Sequence, residues 1–180
     1  VVFPTHRLVR DLPNFDKEAV LEKCSEFFYI DEKEGTDTME EDLKKIYDEG
    51  KKAFGFYCGK GEWFLLTLKN IDFMSQMLPN VSKASQSLDV SVLHTLILEK
   101  IFGIDKENMA KQINLTYTKF FTEAIDGVDK GEFQCSFVLN PTRVTEIRDV
   151  AAAGEKMPQK STYFYPKMIT GMVMNNLGVD

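Results

Sequence analysis

The chain has 180 residues, with 22 Lys and Arg against 28 Asp and Glu and a formal net charge of −6. Hydrophobic content of 43% and charged content of 28% are those of a globular chain with a buried core, which excludes disordered, collagenous and coiled-coil classes. No apolar run reaches the roughly 18 residues that a membrane-spanning helix needs. The acidic balance opposes broad contact with a nucleic-acid backbone, so neither membrane nor nucleic acid is expected as a partner.

In chain order, Val1-Val2-Phe3-Pro4 reads as a strand with no preamble and no methionine before it. The expectation is therefore a fragment, the C-terminal half of a longer protein. Asp16 is placed to cap a helix whose apolar face is Val20, Leu21, Cys24 and Phe28. Phe27 to Ile30 reads as a short strand before an acidic turn at Asp31 to Asp37. Thr38 and Glu41 have capping-box spacing for a helix carrying Leu43, Ile46 and Tyr47, which Gly50 stops. Ala53 to Cys58 and Glu62 to Lys69 alternate around Gly59-Lys60-Gly61 as a β-hairpin. Polar Asn80 to Ser87 reads as a loop, giving a candidate flexible joint near 80–88.

Asp89 opens a helix with Leu93, Leu96, Ile97 and Ile101 inward, and Gly103 closes it. Asn114 to Thr118 has strand character, Lys119 to Val128 reads as a helix, and Phe133 to Leu139 alternates as a strand. Asn140-Pro141 fits an N-cap and first helical position, before a helix on Val144, Ile147, Val150 and Ala151. Met168 to Met174 fits strand or helix equally. The pattern predicts an α+β fold, a mixed sheet with a β-hairpin flanked by several helices, in one domain over residues 1–180.

Cys24, Cys58 and Cys135 stand in apolar runs and match no metal or disulfide spacing, so reduced, buried thiols in a cytoplasm are expected. With only His6 and His94 as imidazoles, no metal site is expected, and no cofactor can be named.

Chemistry concentrates in three polar segments. Thr5-His6-Arg7 follows the first strand, and Asn140-Pro141-Thr142-Arg143 follows a later one. Ligands of α/β sheets gather beyond strand ends, where helix amides and an arginine fork suit a phosphate or carboxylate. The same residues also read as plain capping, with Arg143 in water. Gly154 to Lys167 joins Glu155, Gln159, Lys160, Ser161, Thr162, Tyr163 and Lys167 in one stiff, aromatic-rich stretch. Its lysine–hydroxyl pairing is that of a phosphate loop without the glycine spacing, and a packed loop reads equally well. His6, beside Thr5 and Arg7, is a candidate proton carrier, whereas His94 reads as a helix-flank residue with a satisfied hydrogen bond.

The stretch Val138-Leu139-Asn140-Pro141-Thr142 with Val150 to Lys167, the start Val2 to Val9, and Leu93-His94 together resemble the domain-of-unknown-function 1015 family. The resemblance implies a bacterial or archaeal, cytoplasmic protein about twice this length. It also implies an upstream half, with a glycine-histidine-arginine motif akin to the ParB/sulfiredoxin superfamily, whose relatives include nucleotide-binding proteins and a free-serine kinase. That half is then an expected partner.

The leading expectation is binding of a small phosphorylated or anionic metabolite, nucleotide or phosphoserine-like, with phosphotransfer or phosphate-ester chemistry performed together with the other half. Arg7, Arg143 and Lys160 would clamp the anion, Asn140 and Thr142 would orient it, and His6 or Glu155 would move a proton. Thr5, Gln159, Ser161, Thr162, Tyr163 and Lys167 complete the expected ligand-binding set. The alternative is a noncatalytic regulatory or protein-interaction module, in which the polar segments are caps and Tyr163 to Tyr165 meet another surface.

Overall fold

The structure, a computed structural model, describes residues 1–166. Lys167 and the ambiguous Met168 to Met174 segment lie outside the described residues. An antiparallel six-stranded sheet forms the framework, in the order β3-β5-β4-β7-β2-β6. Its strands are β2 (His6–Val9), β3 (Phe28–Glu34), β4 (Ala53–Tyr57), β5 (Glu62–Leu68), β6 (Leu115–Thr118) and β7 (Cys135–Val138). A separate pair joins β1 (Val2–Phe3) to β8 (Tyr163–Phe164). With helices on both faces, the fold is α+β.

The hairpin β4–β5 turns where Gly59, Lys60 and Gly61 all adopt positive φ, a conformation two glycines allow at little cost. Its register, Phe56 opposite Phe64, sends Phe54, Phe56, Phe64 and Leu66 to one face and Ala53, Tyr57, Trp63 and Leu65 to the other. The first face packs on α1 (Lys17–Cys24) and on the long apolar helix that begins as α5 (Asp89–Val92) and continues as π-helix through Leu93–Glu99. The second is covered by α2 (Met39–Asp48) and α7 (Phe121–Asp129). Phe137 sits at the centre of the first face, stacked on Phe56 at 5.0 Å and edge-on to Phe54 at 6.3 Å.

Several local readings shift for identifiable reasons. Strand β3 runs on through Glu34 into the acidic stretch, because the full length of β5 pairs with it, from Phe28 opposite Leu68 to Glu34 opposite Glu62. The segment read as a polar loop holds the short helix α4 (Lys83–Gln86), capped by the Ser82 hydroxyl. Two further helices, α3 (Asp72–Met77) and α6 (Lys106–Lys111), are too short for periodicity to reveal. Thr38 binds the Asp42 side chain and does not cap α2. Helix α8 (Val144–Ala152) starts beyond Pro141, with the Glu146 carboxylate accepting the Arg143 amide at 2.9 Å.

Phe137 is fully buried among aromatic rings, so Phe137→Ala is expected to destabilise the fold by about 3–5 kcal/mol. Urea unfolding measures this; a loss below about 1 kcal/mol would contradict the packing described.

Candidate functional site

Side-chain alternation along β2 decides what this strand offers. Leu8 and His6 face α7, while Arg7 and Val9 face the π-helical side. Arg7 lies opposite Tyr117 of β6 and Phe137 of β7, so its guanidinium enters the main core and is only 1% exposed. It donates to the Thr5 carbonyl, to the Lys160 carbonyl at 3.1 Å and to His94 Nε2 at 3.1 Å, and lies 5.1 Å from the Tyr117 ring centre. Among the described residues its Nε has no partner and no carboxylate forms an ion pair with it. Burial pulls its pKa down to about 10, which leaves it cationic at neutral pH.

Beside this group opens a cavity of about 500 Å³, within the range of small-molecule sites. The long helix supplies Ser91, His94, Thr95 and Glu99, a polar stripe through otherwise apolar sequence. Its π-helical turn is a geometry often found at functional positions. Tyr117 and Lys106 line the cavity from β6 and α6, and Glu155, Lys156, Pro158 and Gln159 close it as a strap.

That strap is fastened at both ends. Glu155 accepts from the Ser82 amide at 2.8 Å, the Ser82 hydroxyl at 2.6 Å and the Ser85 hydroxyl, and these bonds hold its carboxyl below the usual range. At the other end, Arg7 binds the Lys160 carbonyl and Thr142 donates to the Ser161 carbonyl at 3.3 Å.

A second cavity, of about 10 Å³, lies under Thr5, Arg7, Asp89, Asn140, Thr142 and Ser161 and has room for one water molecule. Among the described residues, Thr5 Oγ1, Arg7 Nε, Asp89 Oδ1 and Ser161 Oγ have no hydrogen-bond partner. Burial pushes the Asp89 carboxyl up to about 7, with Lys52 opposing and Glu146 adding to the rise.

The structure thus gathers Thr5, Arg7, Asn140, Thr142 and Ser161 around the small cavity and brings Glu155 and Gln159 to the large one. Arg7, Arg143 and Lys160 do not meet as a triple clamp. Arg143 is exposed, pairs with Asp48 and stacks 3.9 Å from the Tyr47 ring centre, while Lys160 joins Arg7 through its carbonyl and is itself exposed. His6 lies on the other sheet face, where its Nδ1 accepts the Leu139 amide at 3.1 Å and its ring packs on Phe121. Tyr163 belongs to β8, with the Lys119 ammonium 4.3 Å from its ring centre, and Thr162 precedes it, half-buried. The site also contains Tyr117 and Lys106, to which the sequence assigns no role, and His94 and Asp89, which it presents as a helix-flank residue and a helix start. The signal was the spacing of Ser91, His94, Thr95 and Glu99 along one side of an apolar helix.

These features define an α+β protein with a ligand-sized cavity backed by a buried cation. The chain belongs to the family described as "Protein of unknown function (DUF1015)", whose profile matches residues 1–91. No curated protein matches it. Among solved structures, it is similar to a free serine kinase in complex with AMP, with 16% identity, a TM-score of 0.49, and coverage of 90% of this chain and 52% of that one. It is also similar to a conserved hypothetical protein from Pyrococcus furiosus, with 19% identity, a TM-score of 0.48, and coverage of 90% and 54%. The chain spans about half the length of these structures.

Burial, assisted by the Arg7 charge, lowers the His6 pKa from 6.5 to about 4. Between those values the unfolded chain binds a proton that the folded chain refuses, so this contribution is complete above about 6.5 and is lost as pH falls towards 4. His6→Gln keeps an acceptor for the Leu139 amide and is expected to reduce the acid-induced loss of stability by on the order of 2–3 kcal/mol. Urea unfolding across this range is the check, and an unchanged pH slope would contradict it.

Proposed function

We propose that this chain forms a binding domain for a small phosphorylated or anionic metabolite, nucleotide or phosphoserine-like, seated in the cavity of about 500 Å³ beneath the strap. The observation that carries this reading is Arg7, a buried cation without an ion-paired carboxylate among the described residues, directly behind His94 and Tyr117 of the cavity wall. A charge in so dry a setting is felt strongly over short distances. Lys106 and Lys156 add cations at the lining itself.

Two carboxylates, Glu99 and Glu155, also line the cavity. Glu155 is engaged by three donors from Ser82 and Ser85, and burial raises the Glu99 pKa. In this reading Glu155 and Lys160 hold the strap, Thr5, Asn140, Thr142, Ser161 and Thr162 support Arg7 and its surroundings, and Gln159 reaches the ligand. Arg143, Tyr163 and Lys167 would then serve a ligand portion or domain beyond this cavity, and His6 a structural role. Phosphotransfer or phosphate-ester chemistry is assigned to a whole cytoplasmic protein in which a further half supplies the reacting groups. Among the described residues no helix is long and apolar enough to cross a membrane.

A noncatalytic interaction module is the second reading. It is favoured by exposed aromatic rings at Phe120, Phe164 and Tyr165, about half or more of whose surfaces are open.

In the full-length protein, Lys106→Ala with Lys156→Ala is expected to weaken binding of AMP, phosphoserine or inorganic phosphate at least about tenfold by calorimetry. Unchanged affinities, or no binding of any of the three by the unaltered protein, would overturn this function.

A further inference from the structure

The two histidines of this chain are fixed in opposite tautomers, and only one of them faces the cavity. Arginine has donors and no acceptor, so the contact between Arg7 Nη2 and His94 Nε2 at 3.1 Å requires the His94 nitrogen to accept. The imidazole proton must then sit on Nδ1. Among the described residues, Nδ1 makes no hydrogen bond, and the ring forms part of the lining of the large cavity. At His6 the logic is reversed: Nδ1 accepts the Leu139 amide, so that proton sits on Nε2.

We propose that His94 is a ligand-binding residue that presents an Nδ1–H donor to an oxygen of the anion, its tautomer set from behind by Arg7. This inference rests on the cavity being the anion site and adds what His94 does there. The pair acts as a relay of polarity without proton transfer. Arg7 takes up the imidazole lone pair, which removes His94 as a general base and strengthens its remaining N–H as a donor. Burial and the neighbouring Arg7 charge both press His94 to stay neutral, with a pKa well below its ordinary value. A neutral donor of this kind favours acceptor oxygens of a phosphate or carboxylate and disfavours a ligand that offers its own N–H at that point. It also binds independently of pH across the usual histidine range, unlike an imidazolium.

The test is long-range nitrogen–proton correlation NMR on the full-length protein labelled with 15N-histidine, with His6→Gln and His94→Gln variants identifying the signals. The expected spectrum shows His94 protonated at Nδ1 and His6 at Nε2, neither titrating near the ordinary value of 6.5. Arg7→Lys, which removes the fixed fork, is expected to give His94 a mixed tautomer population. Titration with AMP or inorganic phosphate is expected to shift the His94 Nδ1–H signal and leave His6 in place. His94 protonated at Nε2, or titrating near 6.5, overturns the inference. So does anion binding by calorimetry that leaves the His94 signal unmoved, although the cavity would then still be an anion site. Failure of every anion to bind removes both the function and this role.

Discussion

One physical constraint organises this structure: a guanidinium placed in the main core must have its hydrogen bonds met and its charge tolerated. Arg7 meets the first demand through its terminal nitrogens, with two carbonyls and an imidazole, while its Nε has no partner among the described residues. The second it meets only in part, through the Tyr117 ring face and the diffuse polarity of its neighbours. A single apolar residue at this point of β2 would fill space with no such demand. Retaining an ion here makes the region polar from within, and among the described residues no carboxylate forms an ion pair with it.

The same group ties together segments far apart in the chain. Its partners come from Thr5 just before β2, from the π-helical turn and from the strap that follows α8. Glu155 does the complementary job at the strap's other end, fastening it to the start of α4. The strap bordering the cavity is therefore held by hydrogen bonds to two ionised side chains, one of each sign. Its apolar neighbours on the sheet, Phe137 and Val9, supply rigidity, and the helix stripe from Ser91 to Glu99 supplies the polar lining.

Much of this was legible from residue order. Alternation around Gly59-Lys60-Gly61 gave the hairpin, and Asp16 identified the start of α1 because an N-cap acts locally. Elements whose limits depend on distant partners were harder. The length of β3 is set by β5, and α3, α4 and α6 are shorter than the span over which helical periodicity becomes distinct. At the site, Thr5, Arg7, Asn140, Thr142 and Ser161 could be singled out as polar groups at element ends, and the fold does bring them together. The choice between His6 and His94 could not be made the same way. His6 stands beside Thr5 and Arg7 and His94 beside Leu93, which favours His6, and only the sheet's two faces, with Arg7 on one and His6 on the other, reverse that choice. Arg143 looked equivalent to Arg7 because sequence does not show that Asp48 lies within its reach.

The most direct measurement is anion affinity of Arg7→Met in the full-length protein, by calorimetry with inorganic phosphate and AMP, on material that keeps a cooperative thermal transition. The account predicts binding at least about tenfold weaker, with Arg7→Lys falling between the two. Phosphate and AMP bound by a folded Arg7→Met protein as tightly as by the unaltered one would contradict it.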